Sequence, residues 1–304
     1  MQEIRQEGNY TYIFSKYLEP VAYVKPGETI IVHTQDFCEG MITKDTDIPG
    51  DYMTGYLNPQ TGPIYVEGAE PGDTLAVTIV DIQPDRDWAV SCNIKEFGGL
   101  VSTPATRFLN KPLEEKVWIY KLQEDGTFKS TENEKLHFPW RPFLGTIATA
   151  PELEAISALT PFQQGGNMDC RDTCPGNTIY LPVGAPGAMF YTGDCHAIQG
   201  DGELIGTALE IAGKITLKFE LIKNKKIKWP RIENDEYIMV VGSAKPMEDA
   251  ARIAYVELVE WMKEEYGWDE LDAYEALGQI GEMYVGNMVD TYYSLVAKVK
   301  KKYL

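Results

Sequence analysis

Long apolar runs and any excess of positive charge are both missing from this chain of 304 residues. No stretch approaches the roughly 20 consecutive apolar residues that a membrane-crossing helix needs, so no membrane is expected as a partner. The 28 basic residues are outnumbered by 46 acidic ones, for a formal net charge of −18. A surface of that sign repels phosphate backbones, which argues against nucleic acid. The single cationic run, Lys298 to Lys302, reads as a solvated helix end with its cations near the C-terminus. Met1-Gln-Glu-Ile-Arg-Gln-Glu lacks the basic start and apolar stretch of an export signal. Five cysteines, odd in number and irregular in spacing, outline no disulfide framework, and the expectation is a cytoplasmic protein.

Other patterns are absent as well. There is no fixed-period repeat, no low-complexity segment and no alternating strand–helix rhythm of a nucleotide-binding sheet. What replaces them is period-two alternation, clearest in Lys214-Ile-Thr-Leu-Lys-Phe-Glu-Leu, where Ile215, Leu217, Phe219 and Leu221 share one face. Similar patterns predict strands at Thr29 to His33, Thr74 to Ile82, Lys116 to Leu122, Thr178 to Val183, Ala188 to Thr192 and Tyr237 to Val241. Asp125-Gly126 supplies the positive φ of a hairpin turn, and Pro26-Gly27, Pro49-Gly50, Pro71-Gly72, Pro175-Gly176 and Pro186-Gly187 mark reversals. A 44% apolar content can bury a core of this size without crosslinks. Near Pro246 the pattern turns helical, with a stripe of Ala250, Ala254, Leu258, Trp261 and Met262, then a second helix capped by Asp269. The predicted fold is mainly β, an antiparallel sandwich or barrel, and α+β overall. Residues 1–245 form the catalytic body, as one unit or two β lobes, and residues 246–304 a helical segment packed on it.

Chemistry concentrates around Asp194 and His196, two apart on an expected strand and therefore on one face. Such a pair can hold a metal ion, or act as a base with its orienting carboxylate. Gln199, Asp201 and Glu203 follow among glycines, an acid-rich loop that repels itself unless a cation or protons neutralise it. His33 with Asp36 is a second polar pair, and Asp169 in Gly165-Gly-Asn-Met-Asp a third candidate. Two of only three histidines thus stand near aspartates, the ligand mixture Zn²⁺ accepts in hydrolytic sites. Pairs of this kind also close turns and cap strand ends.

Five blocks then carry a resemblance: Leu57-Asn-Pro-Gln-Thr-Gly-Pro-Ile-Tyr-Val-Glu-Gly-Ala-Glu-Pro-Gly-Asp73, Pro142-Phe-Leu-Gly-Thr-Ile-Ala, Gly165 to Asp169, Tyr180-Leu-Pro-Val, and Gly193 to Glu203. The chain resembles the acetamidase/formamidase family through most of its length, and Asp272-Ala-Tyr-Glu-Ala-Leu with Val289-Asp290 is similar to its closing region, though Glu282 stands where an aspartate is expected. The resemblance implies hydrolysis of acetamide or formamide to carboxylate and ammonia on a β-rich fold, with a divalent metal, zinc as the expected ion and calcium as the alternative. It implies Asp36, Asp169, Asp194 and His196 as metal ligands, with His33 beside them where relatives often carry glutamate. Glu203 is the first choice for general base and Glu67 the second; Asn167 and Gln199 are candidates for holding substrate. A homodimer or higher homo-oligomer is implied on the same grounds.

Two rival readings stay open. Cys170, Cys174 and Cys195 cluster near the polar segments and suggest a cysteine-nucleophile amidase, although Cys195 alternates with Asp194 and His196 and so faces away from them. The acids also suit Ca²⁺ held structurally in a non-catalytic, small-molecule-binding β protein. Ammonia release from simple amides separates that last reading from an enzyme.

Overall fold

The computed structural model describes residues 1–53, 55–101 and 113–304. Alternating segments become strands at Thr29–Thr34, Thr74–Pro84, Lys116–Leu122, Thr178–Pro182, Gly213–Ile222 and Tyr237–Ala244. In Gly213–Ile222 the side chains of Ile215, Leu217 and Phe219 are fully buried while Lys214, Thr216 and Lys218 are part-exposed, so one face meets the core and the other meets water. The Asp125-Gly126 hairpin closes as predicted, with Gly126 at φ +80° and the Gln123 amide donating to the Thr127 carbonyl. Four of the five Pro-Gly pairs place their glycine at positive φ; Pro49-Gly50 instead opens a one-turn helix, Pro49–Tyr52, for which proline at the start is well suited.

Among the described residues the strands assemble into a nine-stranded sheet, a ten-stranded sheet and a two-stranded ribbon, and neither large sheet closes into a barrel. Pairing is antiparallel except where Gln2–Ile4 lies parallel to Thr29–Thr34 and Ala22–Val24 parallel to Gln60–Val66. The two sheets share one core, in which Leu217 and Phe219 of the first join Ile64, Leu144 and Phe190 of the second. Phe190 and Phe219 meet edge to face at 5.0 Å, the geometry that ring quadrupoles prefer. The fold is mainly β with C-terminal helices, α+β overall.

Helices Met247–Tyr266 and Glu270–Ile280 cover the outside of the nine-stranded sheet. The expected stripe, Ala250 to Met262, is buried, and Asp269 caps the second helix through the Leu271 amide. Gly242 lets the long helix sit directly on the sheet, since a Cβ there would lie 2.2 Å from the Ala250 carbonyl oxygen. Beyond Ile280 the chain returns as strands, Glu282–Asn287 and Tyr293–Lys300, and closes on a 3-10 turn, Lys301–Tyr303, so that Lys298 and Lys300 stand on a strand rather than a helix end. Val296 faces the main core while Ala297 and Val299 face the helices, so this strand is buried on both sides and loses the alternation that would mark it.

Candidate active site

The strand Phe190–Ile198 runs through the ten-stranded sheet between Phe143–Ala148 and Leu209–Ile211. It carries Asp194 and His196; across the pairing, His196 sits opposite Glu210 on one neighbour and Phe143 on the other. Asp169 follows the short strand Gly165–Asn167, which pairs with the far side of Phe143–Ala148. Between Ile198 and Leu209 the chain makes a loop held to the last strands by the Gly202 amide on the Val285 carbonyl and the Met288 amide on the Gly202 carbonyl. That attachment brings Glu203 and Asp290 to the same place.

Asp169, Asp194, His196, Glu203, Glu210 and Asp290 are all buried. Two overlapping groups, Asp169 with His196 and Glu203, and Asp194 with His196 and Glu210, each hold their candidate ligand atoms within 4.8 Å of one another. The His196 Nε2 is 3.4 Å from Asp194 Oδ1 and 3.4 Å from Glu210 Oε1. Neither nitrogen of this fully buried ring has a hydrogen-bond partner, and Asp169 Oδ1 and Glu210 Oε2 have none either. Phe143 meets the His196 ring edge-on at 4.9 Å. Gly145 lies beneath the cluster: a Cβ there would come within 2.5 Å of Asp194 Oδ2, 2.6 Å of His196 Cε1 and 2.7 Å of Asp169 Oδ1. Only glycine leaves that space free.

The backbone is held unusually to achieve this. Nine non-glycine residues with positive φ occur among the described residues, and four of them, Asn58, Asp169, Asp194 and Glu203, surround this cluster. Such conformations persist where the surroundings over-determine them, and they concentrate at functional sites. At Asp194, with φ +56°, the strand departs from regular alternation, yet its carboxylate still reaches the face of His196. Amide side chains hold the acids in turn. Asn287 Nδ2 donates to Asp169 Oδ2 at 2.5 Å and to Asp290 Oδ2 at 2.6 Å, while Asn167 donates to Asp290 at 2.6 Å and accepts from Asn58 at 2.8 Å.

So much buried negative charge raises the carboxyl pKa values. Burial, then the charges of Asp194 and Asp290, push Asp169 well above the usual range, partly offset by the Asn287 amide. Glu203 is lifted by burial and then by Asp169, Asp290, Glu210 and Asp194; Glu210 by burial and then chiefly by Asp194. Asp290 is raised to about 6 by burial, against the pull of the Asn287 and Asn167 amides. A cation among these groups would remove the repulsion and favour the charged forms. The residues fit a divalent metal: a mixed imidazole and carboxylate donor set, unpartnered ring nitrogens and carboxylate oxygens, and a hollow kept open by Gly145.

Not every predicted residue converges. His33 turns its ring away, with Nε2 2.6 Å from Glu3 and Nδ1 2.8 Å from Asp85 and 2.7 Å from Arg5. Asp36 is buried close enough for its charge to act on Glu210, but it pairs with Arg86 at 2.6 Å and accepts from the Cys38 and Gly40 amides. Glu67 is exposed just beyond the end of the strand Gln60–Val66, whose other end pairs with Gly193. Gln199 donates to the Asp169 and Gly286 carbonyls, tying the backbone behind the site, and Asp201 pairs outward with Arg171. Asn167 does line the cleft. Cys195 packs in the core, where a Cβ on Gly213 would lie 2.7 Å from its Sγ, and burial raises its thiol pKa; Cys170 is likewise in the core, and burial lifts Cys174 to about 11. None of the three cysteines lines the cleft.

Glu210, Asn58 and Asn287 carry no assignment from the sequence, and Asp290 stands there only as part of the closing region, with no role. Glu210 had one available signal, a lone acid inside Ala208-Leu-Glu-Ile-Ala212, where an apolar run predicts burial and a buried charge needs a partner. Asn58 lay inside a quoted block, but nothing in its spacing points at the site.

A family model described as Acetamidase/Formamidase family matches residues 5–160 and 152–292. The chain belongs to the acetamidase/formamidase family. An acetamidase structure from Yersinia enterocolitica is 44% identical, with a TM-score of 0.92, covering 97% of this chain and 89% of that one. One from Bacillus halodurans is 31% identical, with a TM-score of 0.88, covering 97% and 96%. A formamidase from Methylophilus methylotrophus is 27% identical over 260 residues, 68% of this chain and 62% of its own length. The chain spans about three-fifths of the length of the curated relatives it matches. In this family member, then, the blocks that carry the resemblance supply residues 193–198 of the strand Phe190–Ile198, its neighbour Phe143–Ala148, Asn58, Asp169 and Glu203.

Proposed function

We propose that this protein hydrolyses short aliphatic amides, acetamide or formamide, to carboxylate and ammonia with the help of a divalent cation. The observation that carries the reading is the convergence of Asp169, Asp194, His196, Glu203 and Glu210 over Gly145 with both His196 nitrogens unpartnered. Asp194, His196 and Glu210 would hold the cation, with Asp169 beside them. Zinc suits the imidazole in that set, and calcium the oxygens. When bound, such an ion polarises a carbonyl and lowers the pKa of water. Glu203 lines the cleft and would act as the general base, taking a proton from water and returning it to the departing nitrogen. Asn58 and Asn167 also line the cleft, and with the Asn58 amide on Asn167 and the Asn167 amide on Asp290 and Asp169 they would position the acids around the substrate. The acids are buried, so their charges act strongly on one another and on any cation among them. A homodimer is proposed on family grounds, to be checked by sedimentation.

The test is ammonia release from acetamide and formamide, before and after chelation and after return of zinc or calcium. Turnover should vanish with the metal and come back with one of the ions. Undiminished turnover in chelated, metal-free protein would remove the cation from the reading, and silence on both amides in metal-replete protein would remove the hydrolase. Glu203→Gln should keep its metal and lose about 10²–10⁴ in kcat.

A further inference from the structure

The cleft over the carboxylates is roomier and more apolar than acetamide requires. Its volume is about 220 Å³. At about 30 Å³ per water this is room for about seven waters, of which acetamide, with about four heavy atoms, fills only part. The lining divides by chemistry. Asn58, Asn167 and the four acids Asp194, Glu203, Glu210 and Asp290 provide the polar part, where an amide group would be held. Phe37, Met53, Leu57, Ile94, Phe97 and Leu159 provide the apolar part, and Gly206 and Thr207 complete the lining. All of the apolar side chains but Phe37 are only half-buried, so apolar surface is left facing the cleft for a ligand to cover. No lysine, arginine or histidine is among the described lining residues, while four acids are.

We propose that the preferred substrate is a neutral amide whose acyl group is a straight apolar chain longer than acetyl, seated against Phe97, Ile94 and Leu159. This rests on the reading of the cleft as an amide-hydrolysing site and specifies the substrate class it takes. Each methylene buried against that surface is worth roughly fourfold in kcat/KM, until the cleft is full. An acyl chain ending in a carboxylate is rejected by the four acids.

The experiment uses the full chain with its metal and compares kcat/KM for acetamide, propionamide, butyramide and pentanamide, with succinamate as the anionic counterpart of butyramide. The expected result is a rise of roughly fourfold per methylene from acetamide to butyramide, with succinamate at least about tenfold below butyramide. Leu159→Trp should lower the butyramide-to-acetamide ratio of kcat/KM by about tenfold, by filling the space the longer chain occupies. Should that variant fold poorly, the unmodified protein's series decides alone. Acetamide turned over as efficiently as butyramide, or succinamate accepted as well as butyramide, would overturn the inference while leaving the hydrolase intact. Hydrolysis of none of these amides would overturn the underlying reading instead.

Discussion

Gly145 shows how little room the site leaves at the scale of one residue. Asp194, His196 and Asp169 all come within 2.7 Å of where its Cβ would be, and none of them is a flexible surface chain that could step aside. Gly145→Ala should therefore displace the ligands while adding only one methyl to a strand that accepts alanine. The expected outcome is loss of bound metal by elemental analysis and a fall in turnover of at least about 10²-fold, with far-ultraviolet circular dichroism unchanged. A variant that keeps both metal and activity would mean the hollow is not where the reaction occurs. Sequence could not reveal this: Gly145 sits in a block that carries the family resemblance, but nothing in Leu-Gly-Thr distinguishes a glycine kept for a turn from one kept for three side chains. The same holds for His33, three residues from Asp36 in sequence but hydrogen-bonded to Glu3, because a residue inside a strand and the loop after it need not face the same way.

Elements were legible in proportion to how one-sided their burial is. Gly213–Ile222 has one wet face and its alternation marks it almost to its ends; Phe190–Ile198, buried nearly throughout, carries a strand signal only as far as Thr192, and the stretch under Asp194 and His196 is the same strand continued. The helices were the easiest, since an apolar stripe and a cap are local signals. Asp269 accepts from the Leu271 amide at 2.9 Å and the Asp272 amide at 3.4 Å, satisfying orphan donors of the helix Glu270–Ile280. Asp269→Ala should cost about 1 kcal/mol, read by denaturant unfolding, and leave amide turnover unchanged. A large fall in turnover would show that the helical layer reaches the site, which its position outside the nine-stranded sheet argues against.

At the scale of the whole molecule, Asp169, Glu203, Glu210 and Asp290 make folding depend on protons or on a cation. Each has a folded pKa above its unfolded value of about 4. The folded protein thus holds more protons than the unfolded chain once pH exceeds about 4, and stability falls as pH rises from there through the raised folded values, about 6 for Asp290. Metal-free protein should show a Tm that declines as pH rises from about 4 through about 6. The net charge of −18 adds self-repulsion in the same direction, so the measurement belongs in high salt, where exposed charges are screened and buried ones are not. A bound cation replaces the protons. The rise in Tm on adding the ion should therefore grow across the same interval, because the ion competes with fewer protons at each step. A metal-free Tm that stays level, with a metal effect equally large at both ends, would mean that these acids are neutralised by some other route and that the cluster is not built around a cation.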